Sequence, residues 1–259
     1  MSFSSPAELV QKASDTALHK NKNGLRTTFI LAFLAGAYIA LGGLLALVVG
    51  GGIPGIAEAN PGLQKLFMGA VFPLGLFLCV VAGADLFTGN TAYFVPPLLS
   101  GKISLWRLLR NWGWVYLGNF VGALFVAWLL GWQTGIFAES PWLDSLMHLA
   151  EHKTSASFWV VFAKGVGANW LVALAVWAAF AANDITGKLL ALWFPVMAFV
   201  AMGFEHSVAN MFFLPTALFY GSEVGWLSFL VNNLLPATLG NIAGGALLTG
   251  LLYAWVYQK

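Results

Sequence analysis

The sequence predicts an all-α integral membrane protein of six spans, formed by two inverted three-helix repeats whose second and fifth helices are broken. Three observations carry this. Of the 259 residues, 59% are hydrophobic and 8% charged, whereas a soluble domain carries about 25% charged residues. Six apolar runs are long enough for hydrocarbon, which takes about 20 residues per helix. Two polar, glycine-bearing interruptions, Gly83-Ala84-Asp85-Leu86-Phe87-Thr88-Gly89-Asn90 and Gly203-Phe204-Glu205-His206-Ser207-Val208-Ala209-Asn210, lie 120 positions apart. At that offset Gly83 meets Gly203, Asp85 meets Glu205 and Asn90 meets Asn210.

The chain reads as one membrane domain, 1–259. Residues 1–27 are polar and lack the apolar core of a signal peptide. Leu9, Val10, Ala13, Ala17 and Leu18 recur at helical spacing, predicting an amphipathic helix on the cytoplasmic membrane surface, with a solvated tail as the competing reading. The first repeat, 28–131, holds spans at 28–50, 66–98 and 108–131; the second, 156–256, holds spans at 156–182, 188–216 and 227–256. The 66–98 run is far longer than a bilayer core at about 1.5 Å per residue, so it must break, and Gly83–Asn90 is where. By the same pattern the fifth span breaks at Gly203–Asn210. Irregular backbone at that depth must be buried in protein or line a cavity. Leu117-Gly118-Asn119 with Gly122 recurs as Leu239-Gly240-Asn241 with Gly244, and Gly36-Ala37 aligns with Gly167-Ala168. Glycines at such positions let helices approach closely. Three spans per half force the second half to run upside down.

Loop charge sets the orientation. One side holds Lys12, Lys20, Lys22, Arg26, Lys102, Arg107, Arg110, Lys188 and Lys259; the other holds Lys65 and Lys153, with Lys164 inside a span. That bias places both termini in the cytoplasm. Cys79 alone forms no disulfide within the chain and offers no cysteine metal site. The net charge of +2, without a dense basic run, points away from nucleic acid. The 12 Trp suit membrane interfaces rather than a cofactor box. No His-Glu-x-x-His or Gly-x-Ser-x-Gly element occurs, so no enzyme is predicted. Asn60-Pro61 continues as Gly62, unlike the paired motifs of water and glycerol channels. His148 and His152 read as solvated loop residues.

Ionisable side chains at midplane mark substrate, ion or proton paths, and paired breaks in two halves place a transport site between them. Asp85 is expected to cap half-helix amides. Glu205 is expected to hold its broken segment through Asn90, Asn119 or Asn241, and Asn210 belongs to the same polar set.

These runs, with Met211 after Asn210, resemble signatures of the formate/nitrite transporter family, as do Leu117-Gly118-Asn119 and its twin at Gly240. The resemblance spans all six helices. It implies an aquaporin-like protomer, a homopentamer in a bacterial or archaeal cell membrane, no cofactor, and small monovalent anions as substrates. Formate and nitrite come first, hydrosulfide or another weak-acid anion second, and a neutral solute such as water or glycerol last. It further implies His206 as the central pore histidine and Thr88 as its hydrogen-bonding neighbour. Phe72 and Phe199 would form the outer constriction, and Leu76, Leu86 and Phe87 the inner one. Lys153 and Asn169 would sit on the outer approach, electropositive and hydrogen-bonding respectively. Lys164 favours nitrite by resemblance, with snorkelling to the interface as the plain alternative. A bare anion between apolar rings bears a large desolvation penalty that its neutral conjugate acid avoids. His206, of a residue type that titrates near neutrality, is expected to donate a hydrogen bond or a proton there.

Overall fold

The computed structural model describes residues 3–258, and no strand occurs among them. Lys259, one of the cations assigned to the cytoplasmic side, lies outside the described residues. Helix α1 (Pro6–Asn21) opens with a capping box: the Glu8 amide donates to Ser5 Oγ, and the Ser5 amide donates to the Glu8 carboxylate at 2.6 Å. Its apolar residues Val10, Ala13 and Ala17 are fully buried against the bundle. The expected lipid-facing surface helix is therefore a packed element, because its apolar stripe finds protein first.

The first span is α2 (Leu25–Gly51), followed by a short α3 (Pro54–Ala59). The second span runs through α4 (Pro61–Val71) and α5 (Leu74–Val81), breaks, and resumes as α6 (Phe87–Tyr93) and α7 (Val95–Leu99). Span three is α8 (Leu105–Trp132), π-helical over Ala127–Trp132. A separate helix α9 (Trp142–Ser155) lies between the repeats. The second repeat holds α10 (Phe158–Ala181), the broken pair α11 (Ile185–Ala201) and α12 (Ser207–Phe219), and α13 (Trp226–Tyr257). Phe229–Leu234 and Ala243–Leu251 in α13 are π-helical. All six spans thus appear in the predicted order, with two broken.

Both breaks use one device. Gly83 and Gly203 adopt φ of +74° and +68°, which L-residues with side chains avoid. Ala84 N–H then donates to Cys79 C=O at 2.9 Å and Phe204 N–H to Phe199 C=O at 3.0 Å, ending each half-helix in a Schellman turn.

Interhelical packing fixes the repeat register. A Cβ at Gly122 would strike the Phe33 carbonyl on α2, and one at Gly118 would strike the Ala32 side chain and crowd the Phe29 carbonyl; one at Gly240 or Gly244 would strike the carbonyls of Phe162 and Val166 on α10. Phe29 thus pairs with Phe162 and Phe33 with Val166, a shift of 133 in both cases. The alignment of Gly36 with Gly167 is therefore corrected: Gly36 corresponds to Asn169.

Candidate functional site

The breaks leave orphan backbone groups that two asparagines satisfy. Asn119 Nδ2 donates to the carbonyls of Ala32 (2.7 Å) and Asp85 (3.0 Å), while its Oδ1 accepts from Phe87 N–H (2.9 Å). Asn241 Nδ2 donates to the carbonyls of Gly165 (2.8 Å) and Glu205 (2.9 Å), while its Oδ1 accepts from Ser207 N–H (2.8 Å). Each side chain uses one donor and its acceptor on the crossover, replacing bonds of the helix ladder that the break removes, and its second donor ties the crossover to the neighbouring span, α2 or α10.

Each acidic residue then closes a charge knot within its own half. Lys20 Nζ donates to Asp85 Oδ1 (2.8 Å) and Asn90 Oδ1 (2.7 Å); Asn90 Nδ2 donates to Asp85 Oδ1 (2.7 Å) and Asn111 Oδ1 (2.8 Å). In the other half Lys153 Nζ donates to Glu205 Oε2 (2.8 Å), and Asn210 Nδ2 to Glu205 Oε2 and Asn233 Oδ1 (2.7 Å each). Asn233 Nδ2 adds bonds to Glu205 Oε2 (3.2 Å) and the Lys153 carbonyl (2.9 Å). Each ammonium also lies over an aromatic ring of the resumed half-helix, Lys20 5.1 Å from Tyr93 and Lys153 5.8 Å from Phe213.

Three expectations change here. Asp85 caps no half-helix amide, because Asn119 does that work and frees the carboxylate to meet Lys20. The Glu205 carboxylate binds Asn210 and Asn233 rather than Asn90 or Asn119, and Asn241 reaches only its main-chain carbonyl. Lys153 is not a free cation on an approach: its side chain is 13% exposed and neutralised by a 4% exposed carboxylate. Lys20, Asn111 and Asn233 were missed. The asparagines share the 122 offset of Asn119 and Asn241 and were open to repeat alignment. Lys20 sat in a segment read as surface, which hid it.

His206 is the N-cap of α12. Its Nδ1 accepts the Ala209 N–H at 3.1 Å, so the neutral ring carries its proton on Nε2, which faces Thr88 Oγ1 at 3.1 Å. One imidazole face stacks on Phe199, with centroids 5.7 Å apart, and Phe199 meets Phe72 edge-on at 5.8 Å. His206, Phe72 and Phe199 are each 2% exposed, and Leu76, Leu86 and Phe87 are buried as well. The waist between the breaks is buried and largely apolar, and the Thr88–His206 hydrogen bond crosses it. Phe87 also packs edge-on against Trp112 and Tyr116. Asn169 is fully buried; its Nδ2 lies within bonding distance of the Thr88 carbonyl (3.2 Å), Thr91 Oγ1 (2.9 Å) and the Asn241 carbonyl (2.6 Å). Lys164 is half-buried on α10, and its main-chain carbonyl accepts from Glu205 N–H at 3.4 Å. His152 on α9 has its pKa lowered from the usual 6.5 by partial burial, and then by the charges of Lys164 and Lys153. Among the described residues no group of three or more His, Cys, Asp or Glu is placed to hold a metal.

Six spans in two inverted halves, with broken helices meeting at a buried waist, define a membrane channel or transporter. The chain belongs to the formate/nitrite transporter family, whose model matches residues 7–255. It is 48% identical to a probable formate transporter of Methanothermobacter thermautotrophicus, covering all of this chain and 98% of that one. Identity to the formate channel FocA of Escherichia coli K12 is 36%, covering 98% and 94%. Among solved structures it matches an FNT family ion channel with TM-score 0.88 at 33% identity, over 96% of this chain and 98% of the other. A pentameric formate channel with formate bound matches with TM-score 0.79 at 35% identity, over 91% and 98%.

Proposed function

We propose that this protein passes small monovalent weak-acid anions across a cell membrane, formate before nitrite, each accompanied by a proton. In this reading it works as a homopentamer with one passage per protomer, and both termini are cytoplasmic. The observation that carries the reading is the Thr88–His206 hydrogen bond at the buried waist. Support for the substrate comes from two similar proteins, one named a probable formate transporter and the other a channel with formate bound.

The residues suit a neutral traveller. Phe72 and Phe199 close one side of the waist and Leu76, Leu86 and Phe87 the other, so an unpaired charge between them loses several kcal/mol of solvation. The protonated acid loses far less and needs one or two hydrogen-bond partners. With Nε2–H donating to Thr88 Oγ1, the threonine hydroxyl proton is left for an incoming carboxyl oxygen. His206 acts here by hydrogen bonding rather than as an acid. A second ring proton would have to sit on Nδ1, against the Ala209 N–H, and would break the helix cap. The proton therefore comes with the substrate from solution. Lys153 and Lys20 serve by neutralising the acidic residues on either side of the waist, so that Glu205 and Asp85 do not repel an arriving anion.

Proteoliposomes loaded with a pH dye test this. Wild-type protein should move formate with about one proton each, and His206→Ala and Thr88→Val should each lower flux by at least about tenfold, the scale for losing a positioned donor. His206→Asn, which keeps an N–H donor, should keep more flux than His206→Ala. Formate current without internal acidification, or wild-type flux in both His206→Ala and Thr88→Val, would refute the reading.

A further inference from the structure

The two halves agree closely, so their differences are informative. At the 120 offset of the breaks, His206 stands where the first half has Leu86, Thr88 where the second has Val208, and Thr91 where the second has Met211. At the helix registers fixed above, Asn169 stands against Gly36, and Gly245 against Ala123. Four polar pairs match, Asp85 with Glu205, Asn90 with Asn210, Asn111 with Asn233 and Asn119 with Asn241, while Ser207 against Phe87 and Thr216 against Pro96 depart as well. The matched pairs hold up a fold both halves need. Thr88, His206, Thr91, Asn169 and Gly245 meet at one place.

A Cβ on Gly36 would strike the main-chain carbonyl of Asn119, whereas Asn169 donates to the equivalent carbonyl of Asn241 at 2.6 Å. The same Nδ2 reaches Thr91 Oγ1 and the Thr88 carbonyl, and Thr91 Oγ1 donates its own proton to that carbonyl at 2.7 Å. Gly245 makes the room: a Cβ there would lie within the Thr91 hydroxyl and 2.5 Å from Asn169 Nδ2. The counterpart Ala123 carries a methyl because its half has nothing to accommodate.

We propose that Thr91, Asn169 and Gly245 form a one-sided brace that fixes the peptide of Thr88, and with it the hydroxyl facing His206. All three are positioning residues. Asn169 spends its donors on protein acceptors and so sets substrate choice through Thr88, instead of meeting an anion on an approach. The brace rests on the reading of Thr88 and His206 given above. A helix start held at one carbonyl by Thr91, which Asn169 holds in turn, limits the space beside Thr88 to the smallest carboxylic acid, and freeing it should admit larger ones.

The test compares formate with acetate uptake in proteoliposomes for wild type, Thr91→Val, Thr91→Ser, Asn169→Leu and Gly245→Ala, each checked for assembly by gel filtration. Thr91→Val, Asn169→Leu and Gly245→Ala should lower the formate-to-acetate ratio by about tenfold or more, since sub-ångström misplacement is costly to positioned chemistry. Thr91→Ser keeps the hydroxyl and should stay within about twofold of wild type, which plain packing damage would not allow. A wild-type ratio in all three disruptive variants, or a Thr91→Ser ratio as low as that of Thr91→Val, overturns the brace. If Asn169→Leu fails to assemble, the two threonine variants decide alone. Absence of formate uptake by wild-type protein would instead strike the functional reading.

Discussion

A lysine that reaches a buried carboxylate matters most for what its loss leaves behind. Lys153→Met would strand the Glu205 charge among groups that can only partly solvate it, and breaking one side of a buried pair typically costs about 3–5 kcal/mol. Thermal unfolding in detergent should show a large drop for Lys153→Met and recovery of much of it in Lys153→Met/Glu205→Gln, where no charge remains. Lys20→Met with Asp85→Asn should behave alike, as both knots have the same construction. His152 provides a gentler check. Burial and two lysines disfavour its cationic form, so it should be neutral at pH 7 and gain charge only in more acidic medium. Lys164→Met removes one of those lysines and should move its titration back up toward 6.5, read from the histidine ring proton resonances. An unmoved midpoint would place the Lys164 ammonium away from α9.

Among the helices, the crossovers depend on Asn119 and Asn241. Each side chain makes three hydrogen bonds to main-chain groups, two on the crossover and one on the neighbouring span, at a net of about 0.5–1.5 kcal/mol each. Asn119→Ala and Asn241→Ala should therefore each cost about 1.5–4.5 kcal/mol and lower the melting temperature by several degrees. Equal effects from the two would bear out the repeat. Much of this level was readable in the sequence. Glycines, carboxamides and carboxylates at fixed offsets announced both breaks, since a midplane polar residue has few other reasons to be there. The partners of those carboxylates were not readable. Neither the folding of α1 onto the bundle nor the reach of Lys20 to Asp85 follows from helical periodicity, which cannot tell a stripe facing protein from one facing lipid. The Gly36 alignment failed because a helical register shift of two residues leaves small residues matching small residues.

At the scale of the molecule, apolar residues exposed on the protomer include Trp106, Trp159, Leu227 and Trp255, as expected of a surface that meets lipid or other protomers. Native mass spectrometry from detergent should give five copies, and a stable monomer carrying formate would argue that the passage needs no assembly. Fold class and span order were legible from hydropathy and repeats because the bilayer leaves few alternatives. The hydrogen bond between His206 and Thr88 was legible through family likeness. The one-sided contacts of Asn169 with Thr91 were not, since no spacing rule links residues 78 positions apart.

The knots also bear on direction. Helix α2 has 27 residues, about 40 Å end to end, and separates α1 at its start from α9, whose Trp142 Nε1 bonds Val48 near its finish. One cation and one anion therefore cancel in each knot, and in the proposed passage the two knots add no net pull toward either end. On the proposed function, such knots supply no ratchet, and whether the cell fills or empties would follow the prevailing gradients of solute and acidity.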